Sequence, residues 1–260
     1  MKGIMFTAQG VAELIDEPAP RCARDGMLLK TLYSGLSNGT ERSFLVGGPY
    51  GGNKWPNRIG YLSVSEVVDA GADVRGFVPG DVVYSGTFPG HVEYHTAKEG
   101  DLLVKVPAAV DPRAATMLGL AGVSFFNAAR AGVGPGDRVL VTGGGCIGLT
   151  AVQAAKEAGA NAALVSRTET RRERALDMGV DAVFAGIDQA LEGSEPYSVL
   201  LECAGAELDP LMRPGQECLA RFARVALVAG RVRVDYNFLW ASRLRLSFLQ
   251  STHFDQSTCW

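Results

Sequence analysis

The sequence has no long apolar run, no excess of positive charge and few histidines. Its apolar stretches are too short to span a bilayer, and the first residues become polar too early for a signal peptide. Its 25 basic and 28 acidic side chains give a net charge of −3, without the cationic excess typical of proteins that bind nucleic acid or anionic lipid. We therefore expect a cytoplasmic protein with no nucleic-acid and no membrane partner.

Metal-binding patterns are missing as well. The five cysteines form no CxxC pair and no zinc-ribbon spacing, and an odd, scattered set argues against a disulfide framework. Three histidines are few for a protein that uses several as metal ligands. His91 and His95 are spaced as ligands on one face of a helix would be, but their segment is typical of a strand, so we expect no metal site there.

The residues that are present divide the chain into two domains. Residues 1–112 contain short apolar runs separated by glycine and proline, such as GMLLKTLYSG, GYLSVSEVVDAG and GDVVYSG, with no apolar helical period before Ala114. They predict a compact, barrel-like β domain. In residues 113–260, apolar strands alternate with helices, and the last predicted elements are a helix around MRPGQECLARF, the strand ARVALVAG and an edge strand in RLRLSFLQST. This alternation predicts a doubly wound parallel sheet, and hence an α/β fold.

A glycine-rich turn follows the first strand of the second domain. Gly143, Gly145 and Gly148 form a GxGxxG pattern between the strand RVLVTG and a helix, as in dinucleotide-binding domains. A turn without a ligand is the alternative. The residues expected to bind the coenzyme are Gly143, Gly145, Cys146, Ile147, Gly148, Ser166, Arg167, Arg171, Ala204, Gly205 and Ala229.

The end of the second strand predicts which coenzyme is bound. NAD-binding sites place a carboxylate here for the ribose 2′-hydroxyl, whereas this chain has Ser166 and Arg167, and no carboxylate precedes Glu169. A hydroxyl and the guanidinium of Arg167 or Arg171 would suit a 2′-phosphate, so we expect NADP(H). The alternative is that the arginines form a solvated helix face.

The chain resembles the medium-chain dehydrogenase/reductase superfamily, through GADVRGFVPGDVVY and VGPGDRVLVTGGGCIGLTAVQAAKEAGA. LYSGLSNGTERSFLVGG and GYLSVSEVV are similar to its zinc-lacking branch, which includes bacteriochlorophyllide hydroxyethyl dehydrogenase-like proteins. The resemblance implies a GroES-like catalytic domain before a Rossmann domain. In that superfamily the chain then returns to complete the catalytic domain, and we expect this return to be absent before Trp260.

The resemblance also implies positions for catalytic zinc, and the residues there differ. Asn38, Tyr61 and Leu120 replace the ligands; Asn and Tyr are poor zinc ligands and Leu is none, and the cysteine-rich structural-zinc lobe is missing. We therefore expect no metal. Thr40 matches the superfamily's proton-relay hydroxyl, and together with Tyr61 and Asn38 it forms the expected catalytic set. Alternatively, Tyr61 only fills the space that the metal would occupy. Glu41 and Glu66 are expected to be structural carboxylates that bind backbone or arginine.

These features predict a zinc-independent, NADP(H)-dependent oxidoreductase. It would move a hydride to or from a small-molecule carbonyl, alcohol or activated C=C bond. Two alternatives remain open, a nucleotide-binding protein without catalysis and a zinc alcohol dehydrogenase with unusual ligands. The apolar edge strand in RLRLSFLQST predicts a homodimer, because an unpaired strand edge favours pairing with a second copy.

Overall fold

The computed structural model describes residues 1–48, 51, 53–192, 195–205, 218–228 and 245–247. The chain divides into two compact units, Met1–Gly119 and Leu120–Trp260, whereas its sequence predicts a domain boundary between residues 112 and 113. No helix in these described ranges is both long enough and apolar enough to cross a membrane.

The first unit consists mainly of antiparallel strands, as its short apolar runs predict. Strands β3 to β7 form a five-stranded sheet in the order β6-β3-β4-β5-β7, and β1 and β2 form a separate hairpin. Met27, Leu29, Val67 and Val83 are fully buried in the core of the sheet. The elements are β1 (Lys2–Ala8), β2 (Val11–Asp16), β3 (Met27–Gly35), α1 (Asn38–Val46), β4 (Leu62–Ala70), β5 (Val82–Ser85), β6 (Tyr94–Ala97), β7 (Leu103–Lys105) and α2 (Pro112–Ala115).

Helix α1 was not predicted, because the residues before Ala114 show no apolar helical period. Its first residues, NGTE, follow Ser37 and have the composition of a turn, and its buried residues are Glu41 and Ser43, so the sequence carries no apolar stripe. The following loop packs directly on this helix. A side chain at Gly48 would place its Cβ 3.2 Å from the Cα of Ser43. Tertiary packing therefore stabilises a helix that periodicity does not indicate.

The second unit alternates helices and strands. Its elements are α3 (Leu118–Arg130), which begins at the junction, β8 (Arg138–Thr142), α4 (Cys146–Glu157), β9 (Asn161–Val165), α5 (Glu169–Asp177), β10 (Ala182–Phe184), α6 (Ile187–Leu191), β11 (Tyr197–Glu202), β12 (Leu219–Leu227) and β13 (Arg245–Ser247). The six strands form one parallel sheet in the order β10-β9-β8-β11-β12-β13. This strand order is that of a Rossmann fold and confirms the predicted α/β class.

Both faces of the parallel sheet are buried. Along β8, Val139 and Val141 belong to one apolar cluster and Leu140 to another. Along β11, Leu201 and Leu200 divide in the same way. Residues that alternate between two buried faces must all be apolar, which is why the sequence shows continuous apolar runs here.

The region before β12 differs from the prediction. The helix expected around MRPGQECLARF falls partly on residues 212–217, which lie outside the described residues, and its last four residues belong to β12. Leu219 pairs with Tyr197 across the parallel ladder and is buried with Ala223 in the core. The predicted strand in RLRLSFLQST is confirmed over Arg245–Ser247 as β13, at the edge of the sheet. Helix α6 has no counterpart in the prediction.

Candidate functional site

Two of the three motif glycines are required by the fold itself. Gly143 has φ +91°, and a Cβ there would lie 2.8 Å from the Cα of Ala204. A Cβ at Gly148 would lie 2.9 Å from the carbonyl carbon of Gly143 and would overlap its oxygen. The turn can therefore form, and α4 can approach β8, only if both positions lack a side chain.

Gly145 is different because the protein itself leaves space around it. It is the N-cap of α4 with φ −79°, and no heavy atom of the described residues lies within 4 Å of the position a Cβ would take. The first turn of α4, at Cys146 and Ile147, presents its backbone N–H groups at this end of the helix. The Ser124 hydroxyl donates to the carbonyl oxygen of Ile147 at 2.7 Å and fixes this turn. This open space beside a helix N-terminus fits a pyrophosphate.

The residues predicted to contact the ribose lie beside this turn. A Cβ on Gly144 would lie 2.7 Å from Ser166 Oγ and 3.0 Å from the Cβ of Arg171. Ser166 is buried, whereas Arg167 and Arg171 are exposed. Arg172 donates to the carbonyl oxygen of Ser166 at 2.7 Å and so stabilises the end of β9. The structure therefore brings Ser166 and Arg171 to the glycine-rich turn and leaves both exposed arginines available to an anion.

A buried carboxyl group lies beside the turn, next to residues that contact Gly143, and it was not predicted from the sequence. Glu202, at the end of β11, is fully buried, and its Oε1 accepts hydrogen bonds from the amides of Ala204 and Gly205 at 2.8 and 3.0 Å. Thr142 Oγ1, at the end of the neighbouring strand β8, lies 3.4 Å from the same oxygen. The sequence feature that could have indicated this site is that Glu202 is the single acid within the apolar run SVLLECAG. Ala229, the last predicted coenzyme residue, lies outside the described residues.

Helix α1 positions the predicted catalytic hydroxyls in the first unit. Thr40 Oγ1 lies 3.3 Å from the hydroxyl of Tyr61 and accepts a hydrogen bond from Ser37 Oγ at 3.2 Å. Asn38 is exposed at the start of the same helix. The structure thus brings Thr40 and Tyr61 together as a hydrogen-bonded pair and places Asn38 on the helix that carries Thr40.

Two aromatic residues hold Tyr61, and neither was predicted. The Phe88 ring stacks on Tyr61 with centroids 5.3 Å apart, although 71% of Phe88 is exposed. From the other side, the buried Tyr84 donates its hydroxyl proton to the carbonyl oxygen of Tyr61 at 3.3 Å. Burial raises the pKa of Tyr84 to about 12, so this hydroxyl stays protonated as a donor.

The side chains at the expected zinc positions do not fit zinc. Asn38 and Tyr61 are poor ligands, and Leu120 is a buried apolar residue. Among the described residues, no group of three or more His, Cys, Asp or Glu side chains is placed to hold a metal ion. His91 and His95 each contact a serine, Ser34 and Ser65 respectively.

Comparison with known proteins supports an oxidoreductase. The family model of zinc-binding dehydrogenases matches residues 146–255. The sequence is 27% identical to a sorbitol dehydrogenase of Halalkalibacterium halodurans, over 92% of this chain and 80% of that one. It is 26% identical to an L-threonine 3-dehydrogenase of Pyrococcus horikoshii, over 92% of this chain and 79% of that one.

Solved structures share the fold. A protein of Sinorhizobium meliloti, assigned as a zinc-binding dehydrogenase and bound to NADP, superposes with a TM-score of 0.80 at 22% identity, covering 94% of this chain and 82% of that one. A similarly assigned protein of Clostridium scindens gives a TM-score of 0.82 at 18% identity, covering 98% and 86%. These relatives confirm the expectation of an enzyme of the dehydrogenase kind, and they support the resemblance to the medium-chain superfamily. The narrower zinc-lacking branch stays a prediction.

Proposed function

We propose that this protein is a zinc-independent, NADP(H)-dependent oxidoreductase that moves a hydride between the nicotinamide and a carbonyl, alcohol or activated C=C bond of a small molecule. The observation that carries the proposal is the hydrogen-bonded pair of Thr40 and Tyr61, 3.3 Å apart, where zinc-dependent relatives would hold metal. Hydroxyl donors can stabilise the charge that develops on a substrate oxygen during hydride transfer.

The second unit supplies the residues for the coenzyme. The space beside Gly145 would take the pyrophosphate, and Ala204 and Gly205 would contact the coenzyme beyond it. Ser166, Arg167 and Arg171 would bind the 2′-phosphate. NADP in the Sinorhizobium meliloti relative supports this choice. The coenzyme supplies the hydride, and this chain supplies binding, orientation and the proton.

The first unit supplies the proton. Tyr61 donates its hydroxyl proton to the substrate oxygen in reduction, and Thr40 passes a replacement proton from solvent to Tyr61 through the hydrogen bond that joins them. The Asn38 amide on the same helix is a further donor to that oxygen. Stacking on Phe88 and the hydrogen bond from Tyr84 restrict the position of Tyr61, which lowers the cost of aligning the hydroxyl with the substrate.

Two tyrosine variants test this assignment. Tyr61→Phe removes only the hydroxyl and is expected to lower kcat about 100-fold or more, because general acid catalysis is worth about that much. Tyr84→Phe is the comparison variant, since it removes a hydroxyl that contacts the backbone of Tyr61 and lies beside Gly119; because it only positions Tyr61, its loss should lower kcat much less, by about tenfold at most. The assay screens aldehydes, ketones, enones and quinones with NADPH. Equal turnover by both variants would mean that the Tyr61 ring only fills space.

Metal analysis tests zinc independence in the same preparations. We expect well below one zinc per chain and unchanged turnover after treatment with a chelator. One tightly held zinc per chain, removed together with activity, would contradict this part of the proposal.

A further inference from the structure

A buried acid lies at the point where the order of the parallel strands reverses. From β8 the chain adds β9 and β10 on one side of the sheet and then places β11, β12 and β13 on the other. Thr142 and Glu202, the last residues of β8 and β11, are partners in the ladder between these two strands. Dinucleotides bind in the crevice outside the carboxyl ends of the strands at such a reversal. Glu202 therefore lies at the floor of the expected coenzyme crevice.

The sheet by itself does not require an acid at this position. The preceding residues Leu200 and Leu201 are fully buried apolar side chains, and Glu202 is equally buried. Burying a carboxylate costs free energy unless donors stabilise it. The donors are the backbone amides of Ala204 and Gly205, at 2.8 and 3.0 Å from Oε1. The side chain therefore acts on the short turn that follows its own strand.

These two amides would be satisfied without the carboxylate. Ala204 and Gly205 are both exposed, so water could accept from their N–H groups as well. What the carboxylate adds is a fixed direction, because two successive amides converge on one buried oxygen while Gly205 adopts φ +68°. A turn that is already fixed loses less conformational freedom when a ligand binds. The arrangement therefore indicates a turn preorganised for a ligand.

The turn of residues 203–205 packs directly on the glycine-rich turn. A Cβ on Gly143 would lie 2.8 Å from the Cα of Ala204 and 2.9 Å from its nitrogen. A Cβ on Gly148 would lie 3.7 Å from the Cβ of Cys203. Because the two turns touch through these glycines, a shift of one would change the space beside the other.

The other coenzyme residues indicate which part of the coenzyme lies near this turn. Ser166 and Arg171 follow β9, on one side of β8, and the space beside Gly145 directly follows β8 itself. A coenzyme with its 2′-phosphate at the first place and its pyrophosphate at the second would extend toward β11 with its nicotinamide and the attached ribose. The amides of the turn are already occupied by a carboxylate, which disfavours the pyrophosphate there and leaves room for an uncharged ribose.

We propose that Glu202 is a positioning residue for the nicotinamide half of the coenzyme, meaning the nicotinamide and its ribose. Its carboxylate fixes the turn of residues 203–205 against Gly143, and the fixed turn binds the ribose. The adenosine half is bound by Ser166 and the arginines that follow β9, independently of Glu202. This inference rests on the proposed function. Glu202 acts through the turn and contacts neither the coenzyme nor the substrate.

Amide hydrogen exchange tests the turn without any ligand. Since Ala204 and Gly205 are exposed, their amides should exchange freely unless Glu202 accepts from them. We expect protection of about tenfold or more in the wild type, and its loss in Glu202→Met, whose unbranched side chain has no acceptor oxygen of this kind. The amide of Leu200, within β11, should stay protected in both proteins and is the internal control. Free exchange at both positions in the wild type would overturn the inference, even if the methionine variant does not fold.

Calorimetry with NADPH and with 2′,5′-ADP, which lacks the nicotinamide half, tests the assignment to the coenzyme. Glu202→Met should weaken NADPH about tenfold in Kd and leave 2′,5′-ADP within about twofold. Glu202→Gln keeps an acceptor oxygen and should bind both ligands like the wild type. Asp137→Asn is the matched control, because this acid precedes β8 at the opposite end of the sheet, accepts from the amide of Gly134 at 2.9 Å and pairs with Arg224. It should lower Tm without changing either Kd.

The two ligands separate positioning from a general loss of structure. An equal loss of affinity for NADPH and 2′,5′-ADP in Glu202→Met would contradict the inference, and so would a loss in Glu202→Gln as large as that in Glu202→Met. A wild-type protein that binds neither ligand would refute the proposed function and with it the assignment to the coenzyme. Amide exchange would still show separately whether Glu202 fixes the turn.

Discussion

The glycine-rich turn allows one substitution to test the fold and another to test the ligand. Gly148→Ala places a methyl group 2.9 Å from the carbonyl carbon of Gly143 and into its oxygen, so α4 must move away from β8. Gly145→Ala, three residues earlier, meets no atom of the described part of the chain within 4 Å and keeps a backbone conformation that alanine adopts readily. The same chemical change therefore has opposite consequences at the two positions.

The expected magnitudes follow from these contacts. Overpacking of this kind costs about 1–3 kcal/mol, and for Gly148→Ala the clash is with backbone, which cannot rotate away, so we expect the upper end and a Tm lower by roughly 5–10 °C. Gly145→Ala should change Tm only slightly, because the gain from restricting the unfolded chain is offset by the lower preference for alanine at a helix N-cap. It should nevertheless weaken NADPH binding by about tenfold or more, since the methyl group occupies the space assigned to the pyrophosphate.

Thermal unfolding by circular dichroism and NADPH titration by calorimetry measure both effects. Gly148→Ala should lose stability and binding together, whereas Gly145→Ala should lose only binding. If Gly145→Ala binds NADPH as tightly as the wild type, the coenzyme does not approach this part of the backbone. If Gly148→Ala keeps its Tm, the close approach of α4 to β8 is wrong.

Three further predictions concern specificity, pH and assembly. Arg171→Ala and Arg167→Ala should each weaken the binding of NADPH, but not of NADH, by about ten- to a hundredfold in Kd, because a charge-assisted hydrogen bond is worth about 1.5–3 kcal/mol. Arg172→Ala, which removes a hydrogen bond to the backbone, is the control. An equal loss of affinity for both coenzymes would contradict the assignment. Burial lowers the pKa of His95 from 6.5 to about 4. The stability that the neutral imidazole contributes is therefore present above pH 6.5 and is lost as the pH falls through 4, by about 3 kcal/mol. Chemical denaturation at several pH values should show that His95→Gln lacks this loss, and an identical pH dependence in the variant would refute the prediction. The edge position of β13 predicts a homodimer in light scattering, and a monomer at micromolar concentration would count against pairing through this strand.

Much of the second unit could be predicted because its signals are local. Apolar strands such as β8 and β11 alternate with helices, and a sheet buried on both faces requires that composition wherever the strands lie. The GxGxxG spacing was equally informative, since Gly143 needs a positive φ and Gly148 needs close contact within a few residues of sequence. Both requirements involve residues that are close together in sequence, so the glycines at these positions indicate them directly.

The arrangement of the residues around Tyr61 depends on contacts between distant parts of the chain. Helix α1 has no apolar stripe, because its buried residues are polar; it packs on the loop that follows and also on β1, which lies far away in sequence. Glu41 and His91 are fifty residues apart in sequence and meet at 3.8 Å. Neither residue, read alone, differs from an ordinary surface acid or histidine. The sequence by itself determined the two kinds of domain and the glycine-rich turn, since periodicity and backbone sterics are local properties. Only the tertiary structure decided which polar side chains are buried together, because burial and pairing depend on how distant segments pack.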